Sequence, residues 1–188
     1  MFNDDQRAAL LTLARDSIRY GLEQGRPIAV DEACHDSFLR QDGACFVTLH
    51  LHNRLRGCIG SLQAYRSLLK DVSENAYAAA FRDPRFSPLT VPEFTDIELD
   101  ISVLTPPVAM SFTSEQDLLR QLRPGEDGLI LSAGSRRGTF LPSVWEQLPT
   151  PREFLQHLKL KAGLVVDEWP ADIHVSRYST EIFGDQKT

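Results

Sequence analysis

Residues 55–60 read Leu-Arg-Gly-Cys-Ile-Gly, which places a thiol between two glycines and two residues after a guanidinium group. A cysteine thiolate is a nucleophile, and a neighbouring cation favours the thiolate over the thiol. Because glycine has no Cβ, a ligand can approach the main chain closely beside it. The hexapeptide therefore predicts a site in which Cys58 is the candidate catalytic residue and Arg56, Gly57 and Gly60 are binding residues. It does not name a reaction.

A structural role for Cys58 is the alternative, because free cysteines are among the most buried residues and pack as small hydrophobic groups. A catalytic cysteine also needs an oriented base, and the sequence fixes none. The other two cysteines, Cys34 and Cys45, are interpreted as structural. Whether Cys58 is catalytic or structural stays open at this point.

The hexapeptide belongs to a predicted β-hairpin, because residues 44–51 and 54–59 alternate between apolar and polar side chains around His52-Asn53. A two-residue loop would pair Leu49 with Arg56 and put the arginine on the apolar face. A three-residue loop that includes Arg54 pairs Leu49 with Gly57 instead, and a slip of one residue reverses every side chain, so we predict this register. One polar face then carries Thr48, His50, Arg56 and Cys58.

A second candidate segment is Asp83-Pro84-Arg85-Phe86, which follows a predicted helix over 67–81. A helix of about 15 residues can return the chain to the hexapeptide, so we predict one site containing both segments, with Asp83 and Arg85 as further binding residues. Guanidinium groups bind two oxygens of a carboxylate or phosphate at once, and Arg56 and Arg85 are therefore candidates for binding a small anionic ligand. The alternative is that Arg85 pairs with Asp83, which starts a turn before proline.

The remaining polar residues give weaker signals. His50 and His52 alternate along a strand, but a third ligand is missing, and we predict neither a metal nor a cofactor. Glu98 and Asp100 share one strand face at about 7 Å, which suits acid–base chemistry and equally suits a plain polar sheet face.

The hydrophobic periodicity predicts an α+β protein with a mostly antiparallel sheet and flanking helices, because hairpins lie beside helices without regular strand–helix alternation. Besides the hairpin, the predicted helices cover 4–24, 67–81, 114–122 and 151–161, and the predicted strands cover 95–104, 128–133, 138–141 and 173–179.

Composition indicates a small cytoplasmic protein. The 188 residues are 42% hydrophobic, enough for one substantial core. The N-terminus lacks the pattern of a signal peptide, and no apolar run approaches the roughly 20 residues that span a bilayer, so no membrane association is predicted. Three cysteines without paired spacing favour a reducing compartment. The net charge of −6 makes nucleic acid an unlikely partner but does not exclude a local basic patch at Arg54, Arg56 and Arg66.

The hexapeptide and the Asp-Pro-Arg-Phe segment resemble the AMMECR-domain family, whose bacterial and archaeal members are known as protein A of the AmmeMemoRadiSam system. Further matching blocks appear in family order over roughly residues 5–182: 43–49, 101–104, 127–129, 141–144 and 161–163. The resemblance implies a single AMMECR-like domain over 1–188, with a larger and a smaller lobe packed together and a boundary that the sequence does not assign.

The resemblance also implies function classes. The family association with a Memo-like protein and a radical S-adenosylmethionine protein implies a shared pathway. There the chain is an enzyme or enzyme subunit that acts on a small anionic or nucleotide substrate in a cleft around Arg56, Cys58 and Arg85. The alternatives are a non-catalytic protein-binding or scaffold module and an RNA-modification component. The net negative charge of the chain does not favour the role in RNA modification.

Overall fold

The computed structural model describes residues 1–185, and within this range the chain forms two four-stranded antiparallel sheets and five α-helices. This confirms the predicted α+β class. The helices are α1 Asp4–Gln24, α2 Leu68–Phe81, α3 Val91–Phe94, α4 Glu115–Gln121 and α5 Pro151–Lys161, with short 3₁₀ helices at Glu32–Cys34 and Pro142–Glu146. The strands are β1 Cys45–Leu51, β2 Arg54–Gly60, β3 Ile97–Leu104, β4 Val108–Ala109, β5 Gly128–Ala133, β6 Arg136–Phe140, β7 His174–Tyr178 and β8 Thr180–Gly184.

The chain divides into two compact units, of which the first comprises Met1–Leu104 and, among the described residues, 181–185. Its strand order is β2-β1-β3-β8, so β2 is a terminal strand of the sheet. Helices α1 and α2 pack on one face, where alternate side chains of β1 and β3 are buried. These inward side chains are Cys45, Val47, Leu49, Ile97, Leu99, Ile101 and Val103. The alternation of the sequence therefore places every second residue, including Thr48 and Asp100, on the opposite face.

The ends of the helices in this unit follow from local sequence. Asn3 accepts a hydrogen bond from the Gln6 N–H, and the Gln6 side chain accepts one from the Asn3 N–H, which caps α1. Gly25 ends α1 at φ 68°, a conformation that glycine adopts without strain. Ser67 caps α2, because its side chain accepts a hydrogen bond from the Lys70 N–H.

The hairpin has the predicted pairing but not the predicted loop. Leu49 lies opposite Gly57 and Val47 opposite Ile59, which confirms the predicted register. The loop, however, has two residues, because Leu51 pairs with Arg54 and both His52 and Asn53 have positive φ. Such a turn matches the twist of the two strands. The register is restored by a β-bulge, which leaves Arg56 as the extra residue between the pairs His50–Leu55 and Leu49–Gly57.

The second unit, Thr105–Thr180, has the strand order β4-β7-β5-β6. Its core contains Trp145 stacked on Phe154 at 3.9 Å between ring centroids. Asp127 is fully buried and accepts hydrogen bonds from Arg123, while Lys159, also fully buried, pairs with Glu115. The 141–144 block starts a 3₁₀ helix in this unit.

The prediction that the chain's last strand covers 173–179 is wrong at its end. Strand β7 stops at Tyr178, and β8 follows after Ser179 and joins the first sheet beside β3. Strand β8 begins two residues after the end of β7, and no turn signal in the sequence marks the change. The hydrophobic periodicity therefore did not separate the two strands.

Candidate functional site

The bulge at Arg56 directs its guanidinium group toward α3. Its Nε and Nη2 donate to the two carboxylate oxygens of Glu93 at 2.9 and 3.1 Å, and Nη2 also donates to the Ser87 carbonyl at 3.0 Å. The Arg56 side chain is only 11% exposed. The hydrogen bonds from Arg56 are the main cause that lowers the pKa of Glu93 to about 2. Arg56 therefore binds an anion, but this anion belongs to the protein.

This arrangement corrects the predicted polar face. Arg56 lies against Glu93 and the 87–88 carbonyl groups, because a bulge adds one residue and turns the strand locally. It does not follow the alternation that would align it with Cys58. Glu93 was not predicted from the sequence, although the spacing of Thr90 and Glu93 is that of a capping box. In the structure, Glu93 accepts hydrogen bonds from the Thr90 N–H and hydroxyl.

The turn at 83–85 lies directly against the hexapeptide. Asp83 is 4% exposed and accepts a hydrogen bond from the Cys58 N–H at 2.9 Å, while Arg85 Nη2 donates to the Cys58 carbonyl at 3.3 Å. Because β2 is a terminal strand, these two groups of Cys58 face away from β1, and the turn takes the place of a neighbouring strand. The turn thus fixes the main chain of Cys58 from its open side.

Asp83 and Arg85 also bind each other. Arg85 donates from Nε and Nη2 to the Asp83 carboxylate at 3.0 and 2.7 Å, and this pair is the main cause that holds the pKa of Asp83 well below its usual range. The predicted alternative of an Asp83–Arg85 pair is therefore present. The Arg85 side chain is nevertheless 54% exposed, so part of its guanidinium group stays accessible.

Phe86 completes the contact between the two segments. The guanidinium carbons of Arg56 and Arg85 lie 6.0 and 5.4 Å from the centre of its ring, within the range of a cation–π contact. The structure thus brings Arg56 and Cys58 of β2 together with Asp83, Arg85 and Phe86.

The two glycines of the hexapeptide are explained by packing. A Cβ on Gly57 would lie 2.1 Å from the Ala79 carbonyl oxygen of α2, and a Cβ on Gly60 would lie 2.3 Å from the Phe46 ring. Both Cα atoms are thus covered by the protein itself. A role of Gly57 and Gly60 in ligand binding stays a prediction, since packing alone requires glycine at these positions.

The Cys58 side chain lies on the sheet face opposite the helices. It is partly buried, and the Thr48 hydroxyl donates a hydrogen bond to its sulfur at 3.3 Å. Thr48 also lies opposite Asp100 of β3, and His50 Nδ1 is 3.3 Å from Asp100 Oδ2. This polar face therefore carries a thiol, a hydroxyl, an imidazole and a carboxylate on three adjacent strands.

Two structural features are absent from residues 1–185. No group of three or more His, Cys, Asp or Glu side chains in this range is arranged to hold a metal ion. None of the helices in the same range has the length and apolar composition that crossing a bilayer requires.

The fold and the site define an α+β protein whose cysteine is fixed at a sheet edge by an Asp-Pro-Arg turn. A family model described as AMMECR1 matches residues 11–183, and the chain belongs to the AMMECR1 family. A protein of Methanocaldococcus jannaschii is 35% identical, with 86% of this chain and 81% of the relative covered. A protein of Thermotoga maritima is 37% identical, with 87% and 88% covered.

A solved structure has the same fold. The crystal structure of an uncharacterised protein from Pyrococcus horikoshii superposes with a TM-score of 0.84 at 32% identity, covering 98% of this chain and 94% of the other. The relatives support the family and the fold, and their names assign no activity.

Proposed function

We propose that the chain binds a small anionic ligand or substrate beside Cys58 at the edge of the first unit's sheet, as an enzyme or enzyme subunit. The observation that carries the proposal is the pair of hydrogen bonds from the 83–85 turn to the Cys58 main chain. They hold a partly exposed thiol next to a guanidinium group that is half exposed. A fixed reactive group beside an accessible cation is what a site for a small anion requires.

Within this proposal, Arg85 takes the anion-binding role that was predicted for both arginines. Arg56 is buried and bound to Glu93, so it positions the 87–93 segment, whereas the exposed part of Arg85 meets the ligand. Asp83 keeps Arg85 in place through two hydrogen bonds. Arg56 then contributes to binding through the shape of the site.

A thermal-shift measurement with phosphate, succinate and adenosine monophosphate tests the proposal. A ligand at ten times its Kd stabilises the folded state by about 1.4 kcal/mol, which raises the Tm of a chain of this size by roughly 3–6 °C. The wild type and the control variant Arg120→Gln, an exposed arginine of α4 in the second unit, should show the shift. Arg85→Gln should lose it, measured against its own unliganded Tm. Equal shifts in Arg85→Gln, or none with any of the three anions in the wild type, would reject the proposal.

The ligand-binding chain is also proposed to take part in a pathway with two other proteins. The family association supports the further proposal that the chain works beside a Memo-like protein and a radical S-adenosylmethionine protein in an AmmeMemoRadiSam-type pathway. Co-purification of the tagged chain with these two proteins from its native cells tests this, and their absence under conditions that keep the chain folded would contradict it.

A non-catalytic docking module is the second candidate function, because apolar side chains are exposed at both ends of the hexapeptide. Leu55 is 42% exposed, Leu62 is 41% exposed and Tyr65 is 66% exposed. Contiguous exposed apolar groups mark protein interaction sites, and tyrosine is among the residues enriched where an interface binds most strongly. Replacing Leu62 and Tyr65 by serine should then abolish capture of the Memo-like protein, while Arg85→Gln should leave it unchanged. If capture survives the replacement of Leu62 and Tyr65 but is lost in Arg85→Gln, the result favours the ligand site.

A further inference from the structure

The polar face of the first sheet, which the sequence predicted to carry both His50 and Cys58, also carries a carboxylate that can orient the imidazole. Thr48 lies opposite Cys58 on β2 and opposite Asp100 on β3, and His50 lies two residues further along β1. The side chains diagonal to each other across two such strands have Cα atoms about 7–8 Å apart, a gap that an imidazole ring can span. His50 and Cys58 stand in this diagonal relation.

Asp100 gives His50 the orientation of a base. Its Oδ2 is 3.3 Å from His50 Nδ1, a position from which a carboxylate orients an imidazole ring and directs the other ring nitrogen, Nε2, away from itself. Asp100 is 41% exposed and His50 33% exposed, so the pair is accessible on this face. On the other side, the Thr48 hydroxyl donates to the Cys58 sulfur, an interaction that strengthens when the sulfur becomes a thiolate.

We propose that Cys58, His50 and Asp100 act as nucleophile, base and orienting carboxylate toward small electrophiles that carry a carboxylate, which Arg85 recognises. This deepens the function proposed above and rests on it. The arrangement has the parts expected of an activated nucleophile: a thiol, an imidazole that a carboxylate orients, and a cation for the substrate's charge. The substrate class follows from Arg85, since its guanidinium group also donates to the Cys58 carbonyl and thus lies beside the thiol.

The chemical step is balanced without a further reactant. The Cys58 S–H proton moves to His50 Nε2, and the thiolate attacks the electrophilic carbon. The new S–C bond forms as the bond from carbon to the leaving group breaks, and the leaving group departs with that electron pair. His50 then releases its proton to the leaving group or to water. With iodoacetate as the probe, the products are S-carboxymethyl-Cys58, iodide and a proton.

The test measures alkylation of Cys58 at pH 7 by iodoacetate and by its neutral analogue iodoacetamide, followed by peptide mass spectrometry. The background is Cys34→Ser, because Cys34 is exposed, whereas Cys45 is fully buried. In this background His50→Ala should lower the rate with both reagents about tenfold or more, and added imidazole should restore it. Asp100→Asn should lower the rate several-fold. His157→Ala, an exposed histidine of α5, is the matched control and should leave the rate unchanged.

The outcomes separate this inference from the function on which it rests. Equal rates in His50→Ala and its parent, or a loss that imidazole does not restore, overturn the role of His50 as a base. His50→Gln, which keeps a polar side chain of similar size, serves as the second variant if His50→Ala unfolds. Arg85→Gln should slow iodoacetate several-fold more than iodoacetamide, because it removes both a cation that favours the thiolate and the group that recognises the reagent's carboxylate. If Arg85→Gln changes the two rates by the same factor while His50→Ala slows both reagents, the anion site is rejected and the activated thiol is retained.

Discussion

Replacing Arg56 by methionine should destabilise the first unit, because this guanidinium group joins β2 to the 87–93 segment. The change removes two hydrogen bonds to Glu93 and one each to the Ser87 and Pro88 carbonyl groups, all from a side chain that is 11% exposed. The two-armed pair with Glu93, taken as one interaction with a charged group, contributes about 1.5–3 kcal/mol, and the bonding to the carbonyl groups contributes about 1 kcal/mol. Glu93 keeps the Thr90 N–H and hydroxyl as donors, so it is not left wholly without partners.

The free energy of unfolding should therefore fall by about 2–4 kcal/mol, which corresponds to roughly 5–15 °C in Tm for a chain of this size. Thermal unfolding followed by circular dichroism measures this. Arg54→Met is the matched control, since Arg54 is exposed on the same strand, and it should change Tm by no more than 1–2 °C, within the roughly ±0.5 kcal/mol usual for surface substitutions. A double-mutant cycle with Glu93→Gln should give a coupling energy of about 1–3 kcal/mol. If Arg56→Met melts within 2 °C of the Arg54→Met control, the pair does not stabilise the fold and our assignment of Arg56 is refuted.

Three further predictions follow from the same contacts. Gly57→Ala should destabilise the fold by about 1–3 kcal/mol in urea titrations, because its Cβ would lie 2.1 Å from the Ala79 carbonyl oxygen, and an unchanged midpoint would show that β2 can move away from α2. Arg56 lowers the pKa of Glu93 from 4.5 to about 2, so the stabilisation from this carboxylate is present above pH 4.5 and is lost as pH falls toward 2. The loss of stability caused by Glu93→Gln should accordingly shrink over that pH interval, and a constant loss would mean that its charge is not involved. Cys58→Ser should cost at most about 1–2 kcal/mol while abolishing alkylation at this position, and a larger cost would assign the thiol to the core.

The sequence predicted those parts of the fold that have local causes. The limits of α1 follow from the cap at Asn3 and the stop at Gly25, and the inward residues of β3 follow from strict alternation. The hairpin register was also predictable, because only one pairing puts Leu49 and Val47 opposite apolar or glycine positions. The bulge was not, since a two-residue turn with one extra residue at Arg56 gives the same pairing as a longer loop.

The site was predictable in its members but not in their partners. The hexapeptide and the Asp83–Phe86 segment are brought together as expected, with Asp83 bound to the Cys58 N–H. The partner of Arg56, however, is Glu93, 37 residues further along the chain. Such a pair depends on how α2 and α3 return the chain to the sheet, and no local periodicity encodes that distance. The His50–Asp100 pair similarly depends on β3 lying next to β1.

The most direct measurement of the central claim is competition between the cysteines of the wild-type protein for a limiting amount of iodoacetate at pH 7. Cys34 is the more exposed thiol, but its hydrogen bond from the thiol to Asp31 raises its pKa, and Cys45 is fully buried. If Cys58 is an activated thiol beside an anion-recognising arginine, peptide mass spectrometry will find S-carboxymethyl groups on Cys58 before Cys34. Modification of Cys34 first, with Cys58 unmodified, would contradict the account.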